Sequence, residues 1–133
     1  MRHLARPAAL ALFAGLLLAL ASPLSRAHEV AKGPHGGTVV TVEPNHIHLE
    51  LTTNGPEIVV YVTDKADAPI ATAGASGRAV IQMSGKTTTV TLAPGEGNRL
   101  SGKAEAPVTK GARVVVSASL AGGVNLQARF VTN

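Results

Sequence analysis

The chain has 133 residues, of which 45% are hydrophobic and 2% aromatic, and it carries a formal net charge of +4 with no cysteine. The absence of cysteine excludes disulfides, thiolate metal sites and lipid attachment at a signal-linked cysteine. The length fits one small domain that is held together by packing alone.

Residues 1–27 have the pattern of a cleavable secretory signal. Two arginines give a positive start, residues 8–21 form an uncharged apolar run, and Ser25 and Ala27 supply the small residues of a cleavage site. The apolar run is shorter than the roughly 20 residues that a membrane-spanning helix needs. We therefore predict cleavage after Ala27, a mature chain that starts at His28, and no membrane insertion after cleavage.

The positive charge belongs largely to this predicted signal. Of the 12 basic residues, three lie in the signal, which leaves nine against 8 acidic residues. The mature chain has no basic cluster, and its only aromatic residues are Tyr61 and Phe130. The mature chain therefore lacks the basic side chains that would bind nucleic-acid phosphates and the aromatic side chains that would stack on bases, so nucleic acid is excluded as a partner.

From Thr38 onward, apolar residues recur with a period of two in segments rich in Val, Ile and Thr, which is typical of strands with one buried face. The predicted inward sets are Val40 and Val42; Ile47, Leu49 and Leu51; Ile58, Val60 and Val62; Ala79, Ile81 and Met83; Thr88, Val90 and Leu92; Leu100, Gly102 and Ala104; Val114, Val116, Ala118 and Leu120; and Val124, Leu126, Ala128 and Phe130. Short turns rich in Gly, Pro and Asn separate these sets and favour antiparallel hairpins.

This pattern predicts an all-β domain over residues 38–133. We expect a single antiparallel β-sandwich, immunoglobulin-like in architecture, with seven or eight short strands; a small closed barrel is the alternative. Residues 28–37 are predicted to form a flexible, histidine-containing N-terminal segment. Residues 66–77 lack a period and are predicted to cross between sheets as a loop.

All the histidines of the predicted mature chain lie close together in its first part. On a strand, His46, His48 and Glu50 would share one face about 7 Å apart in succession, because side chains alternate between the two faces. Imidazole is the commonest metal ligand, and without cysteine such a site suits copper or zinc, and nickel or cobalt less well. The alternative is that these are solvated polar residues on the outward face of a half-buried strand.

Two further histidines are candidate metal ligands. His35 lies in a Gly-Pro-His-Gly-Gly segment, where the glycines allow a close turn. Cleavage after Ala27 would give His28 a free α-amine beside its imidazole, a pair of nitrogens suited to Cu(II). In a simple hairpin, Tyr61 would lie opposite His48, where its hydroxyl could bond an imidazole or a carboxylate.

Catalysis is not predicted. The chain has no nucleophile elbow of the Gly-x-Ser-x-Gly type and no phosphate-binding glycine loop before a helix. A metal hydrolase built on His46, His48 and Glu50 would lack a marked second carboxylate and a cavity. We expect a binding protein, not an enzyme.

Three segments resemble the small β-domain near the N-terminus of periplasmic adaptor proteins of heavy-metal efflux pumps, and residues 73–77 and 92–94 resemble it more loosely. The three segments are Pro34-His35-Gly36-Gly37, His48-Leu49-Glu50-Leu51 and Val60-Tyr61-Val62-Thr63-Asp64. The resemblance implies a periplasmic location and a link to transition-metal handling, with His35, His48 and Glu50 at the matching positions. The chain lacks the long helical hairpin and lipoyl-like segments of the adaptors.

The sequence thus predicts a periplasmic metal-binding or metal-chaperone domain, linked to metal efflux or resistance, that presents copper or zinc to an efflux-pump adaptor or another envelope protein. The predicted ligands are His28, His35, His46, His48 and Glu50. The alternative is a β-sandwich interaction module that docks on an envelope or efflux component without a metal.

Overall fold

A computed structural model describes residues 31–133. The predicted signal peptide and His28 lie outside the described residues, so the predictions on them stay predictions. The strands in chain order are β1 (Ala31–Lys32), β2 (Thr38–Val42), β3 (Ile47–Asn54), β4 (Glu57–Thr63), β5 (Ser76–Met83), β6 (Lys86–Pro94), β7 (Arg99–Lys103), β8 (Arg113–Ser119) and β9 (Asn125–Val131). None of the described residues forms a helix, and the predicted all-β class is confirmed.

The strands form one antiparallel sheet in the order β1-β2-β3-β4-β7-β6-β5-β8-β9, curled into a half-barrel. Strand β6 joins the two halves, because its residues 86–92 pair with β5 while Ala93 and Pro94 pair with β7. The structure shows this continuous sheet, and a two-sheet immunoglobulin-like sandwich is not shown. The curl also brings the chain end to β2, where Asn133 Nδ2 donates to Thr38 Oγ1 at 3.1 Å.

The core fills the concave side of this curl. The predicted inward residues are buried along β3, β4, β5, β8 and β9, with Leu49, Ile58, Val60, Val62 and Val116 fully enclosed. All the predicted inward residues are buried or partly buried, the partly buried ones being Val40, Val42, Met83, Thr88, Gly102 and Val124. The alternation is weak on β2, where Val39 and Val40 are both half-buried, and is interrupted on β3 by buried Glu50. The ninth strand, β1, falls in the segment predicted to be flexible and pairs with Thr38 and Val39 of β2.

The segment between β4 and β5 passes β7 and β6 in the sheet order. It is a loop, as predicted for residues 66–77, but it ends before Ser76, where β5 begins, and it connects two strands of one continuous sheet and does not cross between two sheets. The middle of this segment is held against β7 by Thr72, whose buried hydroxyl donates to the carbonyl oxygen of Arg99 at 2.7 Å. Its first turn begins at Asp64 directly after β4, which places that turn beside the outer face of β3 and β4.

Candidate functional site

The outer face of β3 and β4 carries His48, Glu50 and Tyr61. On β3, these polar residues alternate with buried Leu49 and Leu51, and across the hairpin Glu50 pairs with Tyr61 while His48 pairs with Thr63. The prediction that Tyr61 lies opposite His48 is wrong by two residues. The cause is the turn, since both strands continue to the Asn54–Glu57 pair and leave only two residues to connect them.

Glu50 is the most unusual residue of this face, because its charged side chain is only 5% exposed. Its Oε1 accepts hydrogen bonds from the backbone nitrogens of His35 at 2.8 Å and Gly37 at 3.0 Å, and its Oε2 lies 2.8 Å from His35 Nδ1. A buried carboxylate is costly unless it is hydrogen-bonded, and here both oxygens have partners. Glu50 is therefore tied to the segment that covers it.

That covering segment is the turn from Gly33 to Gly37, which closes on itself through the Gly33 nitrogen and the Gly37 carbonyl oxygen at 2.9 Å. A Cβ added at Gly33 would overlap the carboxyl carbon of Glu50, and one at Gly37 would overlap the carbonyl oxygen of Leu51. The two glycines are thus required for close approach of the backbone to β3. Their role is to let the turn lie directly on the carboxylate.

His35 projects from this turn onto Tyr61. The two rings are stacked with centroids 3.6 Å apart and an angle of 1° between their planes. The Glu50 carboxylate contacts the edge of the His35 ring at Nδ1, and the Tyr61 ring stacks on its face. The His35 side chain is 44% exposed, so part of it remains open to solvent.

His48 has its own carboxylate, which comes from the loop after β4. His48 Nδ1 lies 2.9 Å from Asp67 Oδ1. Asp67 has a φ of +62°, a left-handed conformation that Asp tolerates better than most residues. The turn is formed by Asp64, whose Oδ1 accepts from the nitrogens of Ala66 and Ala68 at 2.8 and 3.0 Å.

His46 does not share the face of His48 and Glu50, so the prediction of three ligands in a row is corrected. Strand β3 begins at Ile47, and His46 precedes it in a turn with a φ of +51°. Its Nδ1 lies 3.0 Å from the carboxylate of Glu43, and both side chains are exposed. The alternation that would align His46 with His48 requires extended backbone, which begins only at Ile47, one residue after His46.

His35, His48, Glu50, Tyr61 and Asp67 line one surface depression of about 620 Å³, together with Lys32, Thr41 and Thr63. Within residues 31–133, no three His, Asp or Glu side chains are grouped closely enough to hold a metal ion on their own. What the depression contains is a pair of imidazoles, each with its Nδ1 against a carboxylate. A carboxylate only accepts, so each Nδ1 donates, and the neutral ring then carries its lone pair on Nε2.

Sequence reasoning missed Asp67. The spacing Asp64-Lys65-Ala66-Asp67 after β4 is typical of a carboxylate-capped turn, and this was the signal that could have placed a second carboxylate near β3.

No family model, curated protein or solved structure matches the chain. Over the described residues, 31–133, no helix has the length and apolar character to cross a bilayer. The fold and site together define a class: a small antiparallel half-barrel whose outer face carries two carboxylate-anchored histidines.

Proposed function

We propose that this protein is a periplasmic domain that binds a transition metal ion, copper or zinc, through His35 and His48, and serves metal efflux or resistance. One observation carries the proposal: both imidazoles line the same depression, and each has Nδ1 anchored by a carboxylate. Histidine ligands of metals characteristically donate their other ring N–H to a carboxylate, a carbonyl or water, which fixes the tautomer and raises the basicity of the ligating nitrogen.

In this proposal Glu50 orients a ligand and does not bind the metal itself. Both of its oxygens already accept hydrogen bonds from His35 and Gly37, and it is almost fully buried. Freeing Oε1 would leave the backbone nitrogens of His35 and Gly37 without their acceptor, and freeing Oε2 would release the ring of His35. Asp67 has the corresponding role for His48, from a more exposed position.

Two protein ligands suit a protein that holds a metal ion in transit. Four-coordinate sites with fewer protein ligands keep positions for water or for an incoming group. A recipient protein can then add its own ligands before the first two leave, as delivery to an efflux adaptor requires. This two-ligand site does not include His46, and it does not depend on His28, which stays a predicted ligand outside the described residues.

Metal uptake by the exported form tests the proposal. We expect the periplasmic protein, with its N-terminus sequenced, to take up stoichiometric copper or zinc at micromolar concentration after exchange into metal-free buffer. The His35→Ala/His48→Ala variant should bind at least about tenfold more weakly, whereas His46→Ala, the matched control, should bind like the original chain.

Two results would contradict the proposal. The first is no stoichiometric uptake of copper, zinc, nickel or cobalt by the correctly processed, folded protein. The second is unchanged affinity in the double variant, which would remove His35 and His48 from the site. Circular dichroism of each variant distinguishes lost ligands from lost structure.

A further inference from the structure

Charge is divided unequally between the two halves of the sheet. Strands β5, β8 and β9 contain Arg78, Arg113 and Arg129 and no Asp or Glu. The carboxylates of residues 31–133 lie instead on β3, β4 and the loops, at Glu43, Glu50, Glu57, Asp64, Asp67, Glu96 and Glu105. No ion pair within the described residues includes any of these three arginines.

The three arginines share the outer face of the sheet. Each is exposed and alternates with buried neighbours on its own strand. Arg129 pairs with Val115, and Arg113 lies two residues before Val115 on β8, so the two arginines are diagonal neighbours, about 7–8 Å apart. We call the outer face of β5, β8 and β9 around these residues the arginine face.

The centre of the arginine face is apolar. Val80 of β5 pairs with Val115 of β8, and both are half-buried between the arginines. At the sheet edge, Val131 is 56% exposed and pairs with Arg113. Apolar residues at the centre with arginine around them are the composition of a protein–protein interface core.

A depression of about 390 Å³ lies between the two diagonal arginines. Arg113 and Arg129 line it, together with Val80, Val115 and Val131. Guanidinium groups bind carboxylates through parallel hydrogen bonds, and two of them beside one depression would surround a single acidic side chain.

We propose that the arginine face docks an acidic protein surface, with an Asp or Glu side chain of the partner inserted between Arg113 and Arg129. The unpaired positive charge selects a negative partner, and the valines favour a protein over a membrane or a glycan. Attraction to anionic lipid takes clusters of about four to eight basic residues, and membrane insertion takes aromatic or long apolar side chains, which this face lacks.

This docking is independent of the metal proposal. The arginine face belongs to β5, β8 and β9, whereas His35, His48 and their carboxylates belong to β3 and the segments beside it. Metal uptake and docking can therefore fail separately.

Binding of a fluorescein-labelled oligoglutamate peptide to the full processed chain tests the arginine face. We expect saturable binding at low salt that weakens as salt rises, because exposed ion pairs are screened. The Arg78→Gln/Arg113→Gln/Arg129→Gln variant should bind about tenfold more weakly. The matched control Lys65→Gln/Lys103→Gln/Lys110→Gln removes the same charge elsewhere and should change the affinity by less than about threefold.

Three outcomes would overturn the proposal. They are no binding of the peptide at low salt, equal weakening by the two triple variants, and tighter arginine-dependent binding to phosphatidylglycerol vesicles than to the peptide. Thermal unfolding of both variants verifies that they are folded, and their unchanged metal uptake separates this test from that of the metal site.

Discussion

His35 and His48 make the same bond in opposite surroundings. The Nδ1 of His35 meets the carboxylate of Glu50, whose side chain is 5% exposed, and the Nδ1 of His48 meets the carboxylate of Asp67, whose side chain is 82% exposed. The two distances differ by only 0.1 Å, at 2.8 and 2.9 Å. Distance alone therefore does not tell what each pair contributes.

The difference lies in what depends on each carboxylate. Glu50 also accepts two backbone hydrogen bonds, so the turn from Gly33 to Gly37 is attached to the sheet through it. The Asp67 carboxylate makes only an exposed hydrogen bond to His48, and exposed pairs of this kind typically contribute up to about 1 kcal/mol. We infer that Glu50 stabilises the structure and orients His35, whereas Asp67 mainly orients His48.

The largest expected effect is from Glu50→Ala. The substitution leaves two backbone nitrogens and one ring nitrogen without their acceptor beneath a closed turn, and we expect the free energy of unfolding to fall by about 3 kcal/mol. Urea unfolding measures it. Glu57→Ala, an exposed carboxylate on the neighbouring strand, is the control and should change stability by about 0.5 kcal/mol or less. Equal losses in the two variants would contradict a structural role for Glu50.

The alternation of side chains made the strands predictable, but it did not predict how the strands assemble into one sheet. Period-two patterning reports which face of each strand is buried, and burial confirms it from Ile47 to Phe130. It does not report that β6 changes partner from β5 to β7 at Ala93, nor that β7 then pairs with β4, where Lys103 meets Glu57 from much earlier in the chain. The continuous half-barrel therefore lay beyond the local signal.

The site was predictable where it depends on one strand and not where it depends on contacts between segments. His48 and Glu50 on one face followed from alternation. The burial of Glu50 did not, because it comes from a turn 15 residues earlier in the chain. Likewise, Tyr61 was placed two residues away because register depends on the length of the hairpin turn, which alternation does not report.

A smaller effect is expected from Gly33→Ala, which acts on the same carboxylate without removing it. The new Cβ would overlap the carboxyl group of Glu50, so the turn must shift, and we expect a loss of about 2 kcal/mol of stability with weaker metal binding. Gly36→Ala is the control at the same turn. It has a φ of +78° and no atom within 4 Å of an added Cβ, so only backbone strain of about 1 kcal/mol applies. A larger loss at Gly36 than at Gly33 would show that Glu50 does not limit the approach of the turn.

The smallest effect on stability is expected from Asp67→Ala, because nothing buried depends on this carboxylate. The free energy of unfolding should change by about 0.5 kcal/mol or less. Metal affinity should nevertheless fall by about tenfold, since His48 loses the partner that keeps the proton on Nδ1 and the lone pair on Nε2. Zinc titration measures the affinity, and urea unfolding of a separate metal-free sample measures the stability, because bound zinc would itself add to the free energy of unfolding.

Asp67→Ala also decides whether the two histidines differ as proposed. At His35, stability and metal affinity should change together, because one carboxylate serves both. At His48 they should separate, with affinity lost and stability kept. A loss of more than about 1 kcal/mol at Asp67, or full metal affinity without it, would mean that the loop carboxylate has another role. The difference between buried Glu50 and exposed Asp67 is thus measurable by comparing the loss of stability with the loss of metal affinity in the single variants Glu50→Ala and Asp67→Ala.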